Sequence, residues 1–204
     1  MPARRSMRAD ARRSRERLLA AAGEVFAEQG TGAALDDIAK RAGIGNATLY
    51  RHFPGRQDLV QALLTDRYDE LRDSAKRSLD APDPLHELTD WLQEFIAHLT
   101  AYRGLAASVL EATRDPDTEV SAACQGMRAA AGNLLHRAQD ASLVRTDLTT
   151  IELLHLTNAI AVAAENRLKQ TPRLLSLLLE GLQTTRSHEA AGPTLAGTEK
   201  KSAR

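Results

Sequence analysis

The amino-acid sequence predicts an all-α protein with about nine helices. Apolar residues recur three and four positions apart along the chain, and no segment shows the strict alternation of a half-buried strand. Proline and glycine separate these patterns, as at Pro54-Gly55 and at Pro116, where one helical pattern stops and another starts. The 204 residues, 43% hydrophobic and 26% charged, suffice for one ordinary domain or two small ones.

Three helical patterns precede residue 56. They are predicted at about 13–29, 35–42 and 46–53. Gly30 and Gly43 follow the first two and end them, because glycine readily takes the left-handed conformation found after a helix. In the third, Leu49 and Phe53 lie one turn apart and share the face that we expect to be buried.

Six further helices are predicted after Pro54-Gly55. They are expected at about 56–79, 84–99, 103–112, 116–141, 149–166 and 172–184. Asp83 and Pro84 have the order of an N-cap and a first helical residue, and Thr149 and Glu152 have the spacing of a capping box. Residues 187–204 are rich in Ala, Gly, Thr, Ser and Lys, and we expect them to be disordered.

Cysteine usage and hydropathy restrict the class of protein. Cys124 is the only cysteine, which excludes an intramolecular disulfide and indicates a reducing compartment. The arginine-rich N-terminus lacks the apolar run of a secretory signal. The longest apolar stretches, AIAVAA and LLSLLL, are too short to span a bilayer. We therefore expect a cytoplasmic protein with no membrane partner.

The charge is unevenly distributed although the net charge is +0. Residues 1–56 carry 11 Lys/Arg against 6 Asp/Glu, a net charge of +5, and residues 57–204 carry the compensating −5. A basic N-terminal region on an acidic remainder indicates that this region meets a polyanion. On charge alone, a solvated arginine tail that binds nothing is an equal alternative.

The second and third helices have the layout of a helix-turn-helix, whose second helix enters the DNA major groove. They are joined by Gly43-Ile44-Gly45. Gly43 is free to take a positive φ, Gly45 is expected to let the two backbones approach closely, and Ile44 is expected to fill the corner. The alternative is a packed helical hairpin with incidental polar residues.

Burial of Leu49 and Phe53 turns the polar side of the third helix outward. The outward residues are Asn46, Ala47, Thr48, Tyr50, Arg51 and His52. Thr48 and Arg51 are suited to base edges, with guanine the best partner for arginine. Tyr50 and His52 are suited to phosphate oxygens. We predict that this face contacts DNA.

Residues 13–64 resemble the DNA-binding region of the TetR family of transcriptional regulators. The matching pieces are LLAAAGEVFAEQG, DIAKRAGI, TLYRHF and GRQDLV, in the family's order and spacing. The segments AYRGLAASVL and LLSLLLEGL resemble a sub-branch common in actinobacteria. The resemblance implies a homodimer that binds palindromic operator DNA and represses transcription until a small-molecule effector enters the C-terminal domain. Activation instead of repression stays open.

The resemblance also implies roles for individual residues. Thr48, Tyr50 and His52 match contact positions on the recognition helix, and Arg56 stands where the family usually has a lysine near the phosphate backbone. Arg41 belongs to the same predicted DNA-binding set. The basic extension resembles arms that some members lay along the groove; it contains Arg4, Arg5, Arg8, Arg12 and Arg13.

Three hydroxyl positions of the family are missing here. Ala33-Ala34 stands before the second helix, where the family often has a pair of Ser or Thr residues, and Gly45 and Gly55 precede the third and fourth helices, where a serine usually caps the helix. A missing cap costs about 1 kcal/mol. We expect Asn46 to cap the third helix in place of Gly45, and the arginine arm to compensate electrostatically for lost phosphate contacts.

The C-terminal part is expected to bind the effector and to form the dimer. Candidate effector-binding residues are Tyr68, Trp91, Phe95, Met127, His155 and Asn158. Plain core packing is the alternative for the apolar ones, and simple exposure for the polar ones. The last two helices, about 149–184, carry more apolar surface than one face requires, which predicts the dimer interface.

No pattern typical of an enzyme or a metal protein is present. The sequence lacks G-x-S-x-G, a phosphate-binding glycine loop, HExxH and CxxC, and its six histidines include no pair four residues apart. We predict no catalysis, no cofactor and no metal site, and we expect Cys124 in the core. A helical small-molecule-binding or adaptor protein without DNA function is the competing class.

The predicted organisation has four parts. They are a basic disordered arm at 1–12, a helix-turn-helix domain at 13–56, a helical regulatory and dimerisation domain at 57–186, and a disordered tail at 187–204.

Overall fold

The computed structural model describes residues 2–101, 117–164 and 170–183. These residues form eight helices and no strand, which confirms the all-α prediction. The helices are α1 (Pro2–Gln29), α2 (Leu35–Ala42), α3 (Asn46–His52), α4 (Arg56–Ser78), α5 (Pro84–Ala101), α6 (Glu119–Asp140), α7 (Thr150–Ala164) and α8 (Thr171–Leu182). The predicted helix at 103–112 and the predicted disordered tail at 187–204 lie outside the described residues.

The first helix is longer than predicted. We expected residues 1–12 to be a disordered arm and the helix to begin at Arg13, but α1 runs without interruption from Pro2. Proline is favoured at the first helical position, and the alanines and arginines that follow are good helix formers. Ion pairs one turn apart, Arg13 to Asp10 and Arg12 to Glu16, add support along this segment. The basic extension is therefore a helical continuation of α1.

Two hydrophobic cores lie at opposite ends of α4. The first packs α1, α2 and α3 against the N-terminal half of α4, which contributes Leu59 and Leu63, and includes Val120 of α6. The second packs the C-terminal half of α4, with Leu71 and Ala75, against α5, α6, α7 and α8. We call the first group the head and the second the body. The predicted domain boundary between residues 56 and 57 thus falls at the start of a helix that belongs to both.

Helix caps in the body agree with the sequence patterns. Asp83 Oδ1 accepts hydrogen bonds from the backbone N–H groups of Leu85 and His86 at 3.2 and 3.1 Å. Thr149 N donates to Glu152 Oε2 at 2.9 Å while Glu152 N donates to Thr149 Oγ1 at 3.3 Å. These contacts confirm the predicted N-cap of α5 and the capping box of α7.

An arginine of another helix holds the C-terminal end of α4. Arg137 of α6 donates to the carbonyl oxygens of Ser78 and Ala81 at 3.2 and 2.7 Å. A cation is favourable at a helix C-terminus, where carbonyl groups lack helical partners.

Along the described ranges, no helix has both the length and the apolar character needed to cross a bilayer.

Candidate nucleic-acid interface

The turn between α2 and α3 begins with a left-handed glycine. Gly43 has φ +63° and ψ +39°, as its position after α2 predicted. Gly43 N donates to Lys40 O at 3.1 Å, and Ile44 N donates to Ala39 O at 2.9 Å. This pair of bonds is the Schellman arrangement, which closes a helix end. Ile44 packs against the head core and so fills the corner as expected.

The predictions for Gly45 and Asn46 are wrong. Gly45 has φ −67° and ψ +144°, and a Cβ atom built there meets nothing within 4 Å, so Gly45 does not serve a close backbone approach. Gly45 is itself the N-cap residue, since its carbonyl accepts from Thr48 N and Leu49 N at 2.8 and 3.1 Å. Asn46 is the first residue inside α3, and no side chain caps the helix. A capping side chain has to come from the extended residue before the helix.

The outward face of α3 is as predicted. Leu49 and Phe53 are buried in the head core. The residues between and before them point away from it: Asn46, Ala47, Tyr50 and Arg51 are exposed, and Thr48 and His52 are half-buried. The Tyr50 side chain, an aromatic ring in a chain poor in aromatics, is 46% exposed. Arg51 Nη2 donates to Thr48 Oγ1 at 2.9 Å, so the two side chains suited to base edges are already joined.

The N-terminus of α4 lacks a capping hydroxyl but has a partial replacement. Gly55 is the N-cap residue, and its N–H donates to Asp58 Oδ2 at 2.8 Å. Arg56, the next residue, is half-buried and donates to the carbonyl oxygen of Thr31 in the loop between α1 and α2. Its guanidinium therefore holds α4 against that loop. At the start of α2, Ala34 likewise provides no side-chain cap.

Arg41 is engaged by carboxylates of α1. Its Nη1 and Nη2 donate to the two oxygens of Glu28 at 3.0 and 2.8 Å, and Nη1 also lies 3.2 Å from Glu24 Oε2. The hydrogen bonds to Glu28 raise the pKa of the Arg41 guanidinium and lower the pKa of the Glu28 carboxyl. Arg13 is similarly paired with Asp10 along α1. Arg41 and Arg13, two of the predicted DNA-binding arginines, thus have intramolecular partners.

Two arginines of α1 contact the helix-turn-helix although sequence reasoning assigned them no role. Arg17 Nη2 donates to the carbonyl oxygens of Ala42 and Gly43. The Arg15 guanidinium lies 5.9 Å from the centre of the Phe53 ring, within cation–π range. These contacts join residues that are 25 or more positions apart, so no local sequence pattern predicts them.

The six predicted effector-binding residues do not form one site. Trp91, Phe95 and Met127 are buried in the body core. The rings of Trp91 and Phe95 stack with centroids 5.6 Å apart, and Trp91 Nε1 donates to Leu71 O at 2.9 Å. His155 and Asn158 are exposed on the other side of α7, because Leu153, Leu154 and Thr157 face the core. His155 and Asn158 therefore cannot join the other four around one ligand.

Tyr68 lies where the two cores meet. It packs against residues of both, and its side chain lies close to the buried Cys124. Burial raises the pKa of both groups, so each stays protonated at neutral pH. The expectation that Cys124 is a core residue agrees with its burial.

The body also has a groove that the predicted effector-binding residues do not line. One groove of about 210 Å³ between α5 and α8 is lined by residues that include Ile96, Thr100 and Leu175, and none of the six effector candidates lines it.

Within ranges 2–101, 117–164 and 170–183, no three His, Cys, Asp or Glu side chains are grouped so as to hold a metal ion.

Two family profiles match the chain. One is described as "Bacterial regulatory proteins, tetR family" and matches residues 18–63, which span the head. The other is described as "Transcriptional regulator SbtR-like, C-terminal domain" and matches residues 83–184, half of the chain, which span the body after α4.

A solved structure and two curated relatives extend the similarity. The TetR transcriptional regulator SCO0520 from Streptomyces coelicolor superimposes with a TM-score of 0.70, at 32% identity over 84% of this chain and 99% of that one. The transcriptional activator FasR of Mycolicibacterium smegmatis is 36% identical over 89 residues, 41% of each chain. The transcriptional repressor LfrR of the same organism is 39% identical over 72 residues, 35% of each. The chain spans less than half the length of these two relatives.

Proposed function

The chain belongs to the TetR family of bacterial transcriptional regulators, and from that premise we propose that it is an operator-binding repressor released by a small-molecule effector. The observation that carries the proposal is the outward face of α3. Its seven residues combine an anchored apolar side with six outward side chains, among them Tyr50, Arg51 and His52. A helix of this kind, set across a preceding helix, fits the major groove.

Arg51 is the side chain that we propose to read a base. Its hydrogen bond to Thr48 Oγ1 limits the rotamers of a long side chain on an exposed helix. An arginine held in this way loses less entropy when it forms two hydrogen bonds to guanine. Tyr50 and His52 are proposed to contact phosphate oxygens on either side, which orients the helix without reading sequence.

Direct DNA binding is tested with a fragment that the wild-type protein selects from a random library. Arg51→Ala should lose about tenfold or more of its affinity for the selected fragment, since a bidentate arginine–guanine pair contributes about 1–3 kcal/mol. The matched control is Arg77→Ala, which removes an exposed arginine at the far end of α4. Equal affinities of Arg51→Ala and wild type in fluorescence anisotropy would contradict the proposed role of α3.

A second copy of the chain is proposed to cover α7 and α8. Ile151, Leu156 and Val162 on α7 are 59%, 42% and 61% exposed, and Leu177 on α8 is 47% exposed. In the described part of the chain, these two helices carry four of the six large apolar side chains that are exposed. Apolar residues concentrated in this way mark an interaction surface. A two-fold axis there would set two copies of α3 on successive turns of a palindromic operator.

The dimer is tested by sedimentation. Val162→Glu should shift the protein from dimer to monomer, because it places a charge on the surface that a partner would desolvate. Leu99→Glu is the matched control, since Leu99 is an exposed leucine on α5. A Val162→Glu protein that sediments as wild type would exclude this surface as the interface.

Activation is the second candidate mode of regulation. The relatives named as an activator and as a repressor match this chain at 36% and 39% identity over similar lengths. A reporter placed under the promoter that carries the selected fragment separates the two modes in a strain lacking the gene. Expression that rises in the deletion strain supports repression, and expression that falls shows activation.

The effector is proposed to act through the body near Tyr68. Tyr68 is the candidate that touches both cores, so a ligand that displaces it would affect head and body together. Trp91, Phe95 and Met127 remain proposed neighbours of this site. Membership of the TetR family favours a DNA-binding regulator over the alternative of a helical adaptor protein without DNA function.

A further inference from the structure

The end of α2 has more carbonyl groups than its turn can satisfy. The backbone bonds of the turn use the carbonyls of Ala39 and Lys40. The carbonyls of Ala42 and Gly43 lie further along the chain, where the helix offers no donor for them. Both accept a hydrogen bond from one nitrogen, Nη2 of Arg17.

Arg17 reaches this point from a different helix. It lies in the middle of α1, 25 and 26 residues away from the two carbonyls, and the distance from Nη2 to Gly43 O is 3.4 Å. A cation is favourable at a helix C-terminus, and a charge-assisted hydrogen bond is stronger than a neutral one. The contact therefore ties α1 to the turn itself rather than to a side chain of α2.

Gly43 leaves room for this guanidinium because glycine has no side chain. A Cβ atom built on Gly43 would lie 2.9 Å from Arg17 Nη2, closer than non-bonded atoms allow. Gly43 thus meets two demands at once, a φ of +63° and the space that Arg17 fills. Two residues further on, the carbonyl of Gly45 starts the hydrogen bonds of α3.

We propose that Arg17 is a positioning residue for the recognition helix. By holding the carbonyls of Ala42 and Gly43, it fixes the direction in which the chain leaves α2 and hence the angle at which α3 meets DNA. The inference rests on the proposed role of α3. It assigns Arg17 no DNA contact, although an exposed arginine in a basic head is the kind of side chain that binds phosphate.

Salt dependence separates these two roles. The affinities of wild type, Arg17→Met and the charge control Arg77→Met are measured over a salt series, on the selected fragment and on an unrelated fragment of equal length. Arg17→Met should lose about tenfold on the selected fragment, as expected for a charge-assisted hydrogen bond, and should bind the unrelated fragment like Arg77→Met. Its salt slope should match that of Arg77→Met.

A phosphate contact predicts a different pattern. The loss would then be similar on both fragments, and the slope of log K against log salt would become shallower by about 0.9 for each contact removed. That pattern, or an affinity for the selected fragment equal to that of Arg77→Met, would overturn the positioning role.

Hydrogen exchange tests the contact without DNA. The amides of Gly43 and Ile44 should exchange faster in Arg17→Met than in wild type, while amides of the body core should be unchanged. Unchanged exchange at the turn would overturn the inference even if DNA binding is lost. Faster exchange with no DNA binding in the wild type would instead contradict the proposed function and leave the contact standing.

A double-mutant cycle gives a second route that does not depend on one variant. Gly43→Ala should force the guanidinium to shift, since its Cβ atom would lie 2.9 Å from Arg17 Nη2, so Arg17→Met added to it should cost less operator affinity than in the wild-type background. Additive losses would show that the two residues act separately and would overturn the inference. Arg17→Gln replaces Arg17→Met in the same measurements if the latter does not fold.

Discussion

The head and the body differ in where their proposed functional side chains come from. In the head, the six outward side chains proposed for DNA belong to one helix of seven residues. In the body, the six residues first assigned to an effector lie on four helices, α4, α5, α6 and α7, and two of them face away from the core. A site on one helix needs only that helix to be held correctly, whereas a site among several helices depends on how all of them pack.

The head accordingly has several contacts that hold its short helices in place. Arg17 fixes the end of α2, Arg56 fixes the loop before it, and Arg41 joins α2 to α1. In the body, Arg137 contacts the end of α4, and Trp91 Nε1 and Ser74 Oγ donate hydrogen bonds between α4 and α5. The two regions are joined by α4 and by α6, since both helices contribute buried residues to both cores. Substitutions in the head or in the body can therefore test whether the two regions unfold independently of each other.

The largest effect is expected from a cavity in either core. Leu49 in the head and Leu92 in the body are both buried, and Leu→Ala at such a site costs about 2–5 kcal/mol of the free energy of unfolding. Because α4 is shared, we expect each variant to unfold in one cooperative transition at a lower temperature in scanning calorimetry. Two separate transitions would show that head and body unfold independently.

The two glycines of the turn should respond differently. Gly43→Ala places a Cβ atom at φ +63° and forces the Arg17 guanidinium to shift, so we expect a loss of about 1–2 kcal/mol in stability, mainly from the left-handed backbone. Gly45→Ser is the matched control, since the backbone there is extended and the surrounding space is open. A serine at this N-cap should stabilise by a few tenths of a kcal/mol. Chemical denaturation of both variants measures the difference, and equal effects would refute the distinction.

The smallest expected effect is a pH dependence in the body. Burial, with the charge of Arg67, lowers the pKa of His98, and these outweigh Glu70 and Glu94. A lowered pKa in the folded state means that the unfolded state takes up the proton first. Stability should therefore fall as the pH drops below the usual histidine value of about 6.5.

His98→Gln tests the origin of that pH dependence. The variant should show a smaller fall in melting temperature between pH 7.5 and pH 5.5 than the wild type does. His136→Gln, an exposed histidine on α6, is the control. If both variants follow the wild-type profile, His98 is not the source.

The sequence alone determined the features that depend on neighbours within one or two turns. The helices, the left-handed Gly43, the inward Leu49 and Phe53, and the caps at Asp83 and Thr149 all rest on backbone preferences and on three- and four-residue periodicity. Residues 2–12 are the exception: we expected a disordered arm there, and the structure shows the start of α1.

Only the tertiary structure decided which side chains meet across the fold. Arg17 at the end of α2, Arg41 on Glu28, and Arg137 at the end of α4 join positions 13 to 59 residues apart. The outward direction of His155 and Asn158 likewise follows from which face of α7 packs on its neighbours. Such contacts depend on the packing angles between helices, and periodicity within one helix contains no information about those angles.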